Sequence, residues 1–250
     1  MIKNDIFNFN TEAFSTKNLI SAFKLFLEKP LDYRIQFLQA KYNKAFDGYS
    51  FLGQENSLNQ YSTDQLHSFV LSEFTSVENF PREFHSYLKT EFLEVKKAVT
   101  NLELEVLKSF NNNEFIEIYK SNFRHMISCN YYPKIVDKTI TERLSTHKDV
   151  SLFSVFPYGL DNGLAYQNSN NRVVDLGFKP EAFGFKGFGV EYFLDEKLKG
   201  LNHKVNLDVS ENNERFSIAF FSIPKPNTTF TFRGKIYNSE TFYINYLNLF

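Results

Sequence analysis

With 250 residues, 42% of them hydrophobic, the chain is long enough to bury a sizeable core and too apolar to remain disordered. Its 28 basic and 29 acidic side chains nearly cancel, so no electrostatic signal favours a nucleic-acid partner. The single cysteine, Cys129, excludes an intrachain disulfide and fits a reducing cytoplasm, where a small buried apolar role is expected for it.

No apolar run approaches the ~20 residues of a transmembrane helix, and the opening MIKNDIFNFN lacks the apolar stretch of a signal peptide. A soluble cytoplasmic protein without a membrane partner is expected, and nothing in the sequence indicates an oligomeric state. Phe is abundant, at 30 residues, and Trp is absent, which points to an aromatic-packed core.

Residues 1–125 read as mainly helical. Ser62-Thr63-Asp64-Gln65 offers helix-capping groups, with Ser62 and Gln65 at capping-box spacing. Pro81 suits the first turn of the next helix. From there the apolar positions Phe84, Leu88, Phe92, Val95, Val99, Leu102, Val106 and Phe110 recur in steps of three and four. That spacing predicts one long amphipathic helix, ended by Asn111-Asn112-Asn113.

Residues 126–234 change character. Short extended segments are expected near 126–132, 150–156, 172–178, 183–193, 203–208, 215–223 and 228–236, punctuated by Gly, Pro, Asn and Asp. Many short strands of this kind predict a sandwich or jelly roll. Residues 235–250 are expected to form a C-terminal segment, with a helix from 238 packing back over the mouth of the barrel. The expectation is a single α+β domain over 1–250: helical support over 1–125 and a jelly-roll core over 126–234.

The chemistry concentrates in the second half. His147 and Asp149 stand one residue apart in STHKDVSLF, and His203 follows 54 residues after Asp149, in LNHKVNL. Side chains at i and i+2 of a strand share a face, so the first pair can reach one metal while Lys148 turns away. Two histidines and a carboxylate can occupy one face of a six-coordinate Fe(II) and leave three positions open. Arg215 and Ser217, in ERFSIAFF, form a second i, i+2 pair suited to a dicarboxylate. Asn130 and Tyr132 form a third. Alone, each pattern is more often a surface or turn feature. His67 and His85 read as surface or packing residues, and His125 is a pocket candidate by position only.

In combination these motifs resemble the isopenicillin N synthase-like branch of the Fe(II)/2-oxoglutarate-dependent dioxygenases. The matching stretches are GYSFLGQE at 48–55, FPREFHSYL at 80–88, CNYYPK at 129–134, HKD at 147–149, GL at 163–164, HKV at 203–205 and RFSIAFF at 215–221. The resemblance spans about residues 43–226. It departs from the family pattern at HKV, where HRV is usual, and in a slightly long segment between His203 and Arg215. The family's usual opening strand and Gly-Phe-Phe…Asn-His-Gly segment are not visible, and the chain is compact.

The resemblance implies a double-stranded β-helix, a form of jelly roll. It implies Fe(II) on His147, Asp149 and His203, and 2-oxoglutarate held by Arg215 and Ser217, with Asn130 and Tyr132 steadying it. The implied reaction uses O2 to hydroxylate a C–H bond of a small molecule, with a free amino acid or derivative favoured. Asp149 stands where related halogenases carry a small residue, which favours hydroxylation over halogenation. Two other readings remain at this point: an iron oxidase of the same fold that does not consume 2-oxoglutarate, by desaturation or ring closure, and a non-catalytic jelly-roll binding module.

Overall fold

A computed structural model describes residues 5–42, 46–52, 64–137, 139–207 and 213–249. Among these, two antiparallel sheets form a jelly-roll core, and helices cover one outer face.

The larger sheet is seven-stranded. It contains β1 (Ile6–Glu12), β2 (Gly48–Ser50), β3 (His67–Ser72), β4 (Phe123–Tyr132), β6 (Phe153–Phe156), β9 (Glu181–Lys186) and β11 (Arg215–Pro224), in the order β1-β9-β6-β11-β4-β3-β2. The smaller sheet runs β5-β10-β7-β8, from β5 (Glu142–His147), β7 (Leu164–Gln167), β8 (Val173–Asp175) and β10 (His203–Asn206). A separate hairpin pairs β12 (Thr229–Phe232) with β13 (Lys235–Asn238).

Central strands of the larger sheet are buried on both faces. In β4 and β11 this gives near-continuous burial, with ten residue pairs in unbroken register from Arg215–Tyr132 to Pro224–Phe123. One face looks into the barrel. The other carries Phe69, Ile127, Cys129, Ile218 and Phe220 into a helix-covered core. There α1 (Lys17–Leu27) buries Leu19, Ala22, Phe23 and Phe26, one helical stripe. Phe26 meets Phe69 edge-on at 5.1 Å, and Phe92 stacks on Phe220 at 5.7 Å. Cys129 is fully buried here as a small apolar residue, as expected.

The structure departs from the sequence reading in several places, among them the end of the expected extended segment 183–193, where Val190–Leu194 is helical. Strands β1, β2 and β3 lie in the stretch expected to be mainly helical. Each is stabilised by a distant partner, β9 for β1 and β4 for β3, so the local pattern carries little of the signal. In particular, an opening strand is present. The long helix over 84–110 is two, α3 (Arg82–Lys89) and α4 (Glu91–Ser109), following a short α2 (Leu31–Arg34). Thr90 leaves helical geometry at φ −126°, ψ −86°, yet Leu88 and Phe92 are four apart, so the apolar rhythm runs straight through the break. Finally, Gln65 precedes a strand, β3, and not a helix; Ser62 and Thr63 lie outside the described residues.

The triple asparagine does end α4, and Asn112 caps α5 (Asn113–Asn122) by accepting from the Phe115 N–H at 3.1 Å. The C-terminal helix is α6 (Ser239–Leu247), capped by Asn238.

Candidate active site

His147, Asp149 and His203 converge from two chain segments. His147 is the last residue of β5, and His203 opens β10 as its direct partner in the ladder. Asp149 lies two residues past the end of β5, outside the ladder, and its carboxylate still meets His147 on one side. Lys148 does point away, to an ion pair with Glu191 at 2.6 Å.

Each histidine is held by its Nδ1. The His147 Nδ1–H donates to the Ser145 carbonyl at 2.8 Å, and the His203 Nδ1–H to that of Leu201 at 3.2 Å. That fixes the tautomer and leaves both Nε2 lone pairs aimed inward. Asp149 Oδ1 lies 3.4 Å from His147 Nε2 and 3.6 Å from His203 Nε2. Its Oδ2 accepts from the Ser154 hydroxyl, which in turn meets Ser151 Oγ at 2.9 Å.

Burial favours the uncharged forms, yet the partners decide two of the three cases. For Asp149, burial raises the pKa, but the charges and hydrogen bonds from His203, His147 and Ser154 outweigh it and the carboxyl is held low. For His147, burial lowers the pKa, but Asp149 prevails and the net shift is upward. His203 goes the other way: burial lowers it to about 4, against the pull of Asp149. Asp149 is thus held anionic and His203 neutral, while Asp149 favours the protonated form of His147; with that proton displaced, two imidazole nitrogens and a carboxylate oxygen are a donor set of the kind that suits a divalent iron.

The segment bearing Asp149 is clamped from behind. Phe188 N–H donates to the Asp149 carbonyl at 2.8 Å. At Gly187 a Cβ would sit 2.2 Å from the Ser151 carbonyl oxygen, so only glycine allows this approach.

Arg215 and Ser217 lie on β11, directly opposite Tyr132 and Asn130 of β4. The two pairs are thus neighbours in one sheet. Arg215 is 8% exposed; its Nε donates to the Asn162 carbonyl at 3.0 Å, and its guanidinium lies 5.2 Å from the Tyr132 ring centroid. Its two terminal nitrogens are buried and have no hydrogen-bond partner among the described residues. A buried guanidinium with an idle fork is costly unless an anion completes it. A terminal carboxylate, as in 2-oxoglutarate, supplies two acceptors with matching geometry, so the residues present fit that group.

Arg143, which the sequence reading missed, stands near Arg215. It is 4% exposed, donates to the Asn213 carbonyl at 2.6 Å, and has its pKa lowered by burial and then by the Arg215 charge. Its place four residues before His147 on the same strand was the available signal. Asp64 was missed too: it accepts from the Ser145 N–H at 2.9 Å, supporting the segment that orients His147.

A cavity of about 370 Å3 opens beside the triad. Of the predicted site residues, His147, Asp149 and Asn130 line it, with Tyr246 and Leu247 of α6 closing one side. His67, His85 and His125 stay out of its lining. His67 accepts from the Tyr49 hydroxyl at 2.8 Å, His85 meets the Phe80 carbonyl at 2.9 Å, and His125 faces the helix layer.

Over residues 123–224 the chain matches the family model of the 2OG-Fe(II) oxygenase superfamily. No curated protein sequence matches it. Among solved structures it is similar to a full-length Neurospora crassa protein in complex with alpha-KG and thymine, at 15% identity and TM-score 0.69, over 94% of this chain and 84% of that one. It is also similar to JOX2 in complex with 2OG, Fe and JA, at 17% identity and TM-score 0.75, over 97% and 77%. A third similar structure is the Arabidopsis thaliana dioxygenase for auxin oxidation 1 with 2-oxoglutarate, at 15% identity and TM-score 0.68, over 90% and 85%. These structures share the fold, and the segment that matches the 2OG-Fe(II) oxygenase superfamily model, 123–224, carries all seven predicted site residues.

Proposed function

We propose that the chain hydroxylates a C–H bond of a small molecule, with Fe(II) held by His147, Asp149 and His203 and 2-oxoglutarate anchored by Arg215. The observation that carries this reading is the nearness of two complementary sets of unspent bonding groups. Three donor atoms meet with both imidazoles' Nε2 turned toward one carboxylate oxygen, and a buried guanidinium nearby has an unused fork. When bound, the iron supplies dioxygen activation, coupled to oxidative decarboxylation of 2-oxoglutarate to succinate and CO2.

The protein's own residues set geometry and access. Ser145 and Leu201 carbonyls orient the two imidazoles, and Ser154 holds the far oxygen of Asp149 so that Oδ1 faces the histidines. Asp149 keeps a carboxylate where a halide would need room, which favours hydroxylation. Arg215 fixes the distal carboxylate; Ser217, on the same face, adds a hydroxyl, and Asn130 and Tyr132 flank both from the paired strand. A cavity near the small end of the usual ligand range favours a small-molecule substrate. Relatives bound to thymine and to JA support that size class.

The test is an anaerobic titration of the Fe(II)–2-oxoglutarate charge-transfer band. Arg215→Ala leaves a carboxylate unpaired in a desolvated site, a cost on the order of 3–5 kcal/mol. The expected loss of 2-oxoglutarate affinity is roughly a hundredfold or more, and Arg215→Lys restores part of it, keeping charge without the fork. Equal titration of all three proteins would remove Arg215 from the site. Absence of the band in the wild type would favour an iron oxidase that does not consume 2-oxoglutarate.

A further inference from the structure

One wall of the cavity is a lateral row of neutral hydrogen-bonding side chains. Ser50 of β2 pairs with Ser68 of β3, Ser68 with Asn130 of β4, and Asn130 with Ser217 of β11. Directly paired residues of antiparallel strands project to the same face. Three strand spacings of ~4.8 Å make the row about 14 Å long. Its Ser217 end adjoins Arg215, and its other three members line the cavity.

The far end of the row is incomplete. Ser50 is 1% exposed, and its hydroxyl is buried with no partner among the described residues. Native interiors rarely leave such a group unsatisfied. Here the group borders open space, so a ligand is the partner that would complete it. Ser128, two residues before Asn130 on the same face, extends the polar surface and donates to Asn130 Oδ1 at 3.1 Å.

Charge is the second observation. Among the described residues lining the cavity, the ionisable acids and imidazoles are His147 and Asp149, already spoken for by iron, and no lysine or arginine is present. The remaining lining is largely apolar, from Leu66, Val70, Met126, Leu144, Val150 and Phe221. A substrate carboxylate or ammonium carried into this space would lose its water and gain no described counter-ion. A hydroxyl can donate or accept, so it suits an amide, lactam, ketone or alcohol equally.

We propose that this row selects a neutral substrate with a hydrogen-bonding edge on an apolar body, and that Ser50 and Ser68 are specificity-determining residues. The inference rests on the assignment of iron to the triad and of 2-oxoglutarate to Arg215. It departs from the free amino acid favoured by the sequence, whose two charges would both need partners.

The experiment uses the full chain, anaerobic, loaded with Fe(II) and 2-oxoglutarate, and three matched probe pairs: phenylacetamide against phenylacetate, 3-phenylpropanamide against 3-phenylpropanoate, and N-acetylleucinamide against leucine. Binding is read by calorimetry, and the charge-transfer band is recorded alongside. At least one neutral member is expected to bind tenfold or more tightly than its charged counterpart. Ser50→Ala is expected to weaken that neutral probe by about tenfold, the scale of one buried hydrogen bond, while 2-oxoglutarate titrates as in the wild type. Ser68→Ala, read in the same way, decides the case if Ser50→Ala is insoluble. A normal band with no neutral member ahead of its charged partner, or with binding indifferent to both serines, overturns the proposal and leaves the iron assignment standing. A wild type without the band overturns the iron assignment itself, and the inference with it.

Discussion

Two buried histidine–carboxylate clusters in this protein look alike by composition and differ in what their nitrogens do. In the first, His147 and His203 spend Nδ1 on backbone carbonyls and turn Nε2 toward a shared Asp149 oxygen, at the edge of a cavity. In the second, on the helix side of β4, His125 Nε2 meets Glu103 at 2.8 Å and its Nδ1 lies 3.7 Å from Glu73. Lys96 bonds Glu73 at 2.7 Å, and Tyr119 donates to Glu103. The first cluster is short of a cation and opens on space. The second contains its own cations and lines no part of that cavity. A ligand set differs from a structural ion cluster not in residue type but in whether the inward lone pairs remain unspent.

The largest expected effect is on metal at the first cluster. His203→Ala should abolish Fe(II) retention, because two remaining protein ligands hold the ion poorly, whereas His67→Ala should leave iron stoichiometry nearly unchanged. Equal iron content after gel filtration in both variants would mean that the triad is not the site.

A second contrast is in stability against pH. Burial lowers the His125 pKa, but Glu103 and Glu73 outweigh it and raise it to about 9 from an ordinary 6.5. The stabilisation is therefore complete below about 6.5 and is lost as pH rises through 9. Glu73, raised by burial but lowered more by His125 and Lys96 to about 2, contributes fully above its ordinary 4.5 and loses that contribution as pH falls. Unfolding free energies from urea titrations should thus plateau between roughly pH 4.5 and 6.5 and decline toward pH 9, by an amount on the order of 3 kcal/mol. His125→Gln should be less stable at neutral pH and should lose most of the alkaline decline. A wild-type unfolding free energy flat from pH 6 to 9 would show that His125 carries no charge in the fold.

The smallest expected effect sharpens the first cluster alone. Ser154→Ala removes the hydroxyl that holds Asp149 Oδ2. Iron affinity should fall by roughly tenfold, the lower range for losing a group that supports a ligand, with the thermal midpoint little changed. An unaltered affinity in a competition titration with a chelator would assign the orientation of Asp149 to the backbone segment that carries it and its Gly187 backing instead.

The residues of the first cluster were legible because their order and spacing survive in one dimension: HxD, a gap, a histidine, then RxS. Burial and pairing then placed Arg215 beside Tyr132 and Ser217 beside Asn130, as the alternation suggested. Asp149 shows the limit, since β5 ends two residues before it and strand periodicity does not encode where a strand stops. The polar row from Ser50 to Ser217 shows the same limit more strongly. Each member is an ordinary serine or asparagine in its own strand, and only the register between four strands makes them a surface. Strand β5 escaped detection for a related reason: its pairing with β10 shifts register twice, between His203 and Val205 and again at Asn206, which breaks the alternation a reader would seek.

The C-terminal helix joins this site without supplying any of its chemistry. Tyr246 donates to the carbonyl of Lys148, between two of the triad residues, and with Leu247 it forms one side of the cavity. The strands that carry the triad and this outer wall are therefore built separately, one by β-sheet register and the other by a short C-terminal helix. Changes in α6 can reshape what the cavity admits while the strands below keep their bonds. A chimera that exchanges only 239–249 between two such proteins should trade substrate preference and leave the affinity for 2-oxoglutarate where it was.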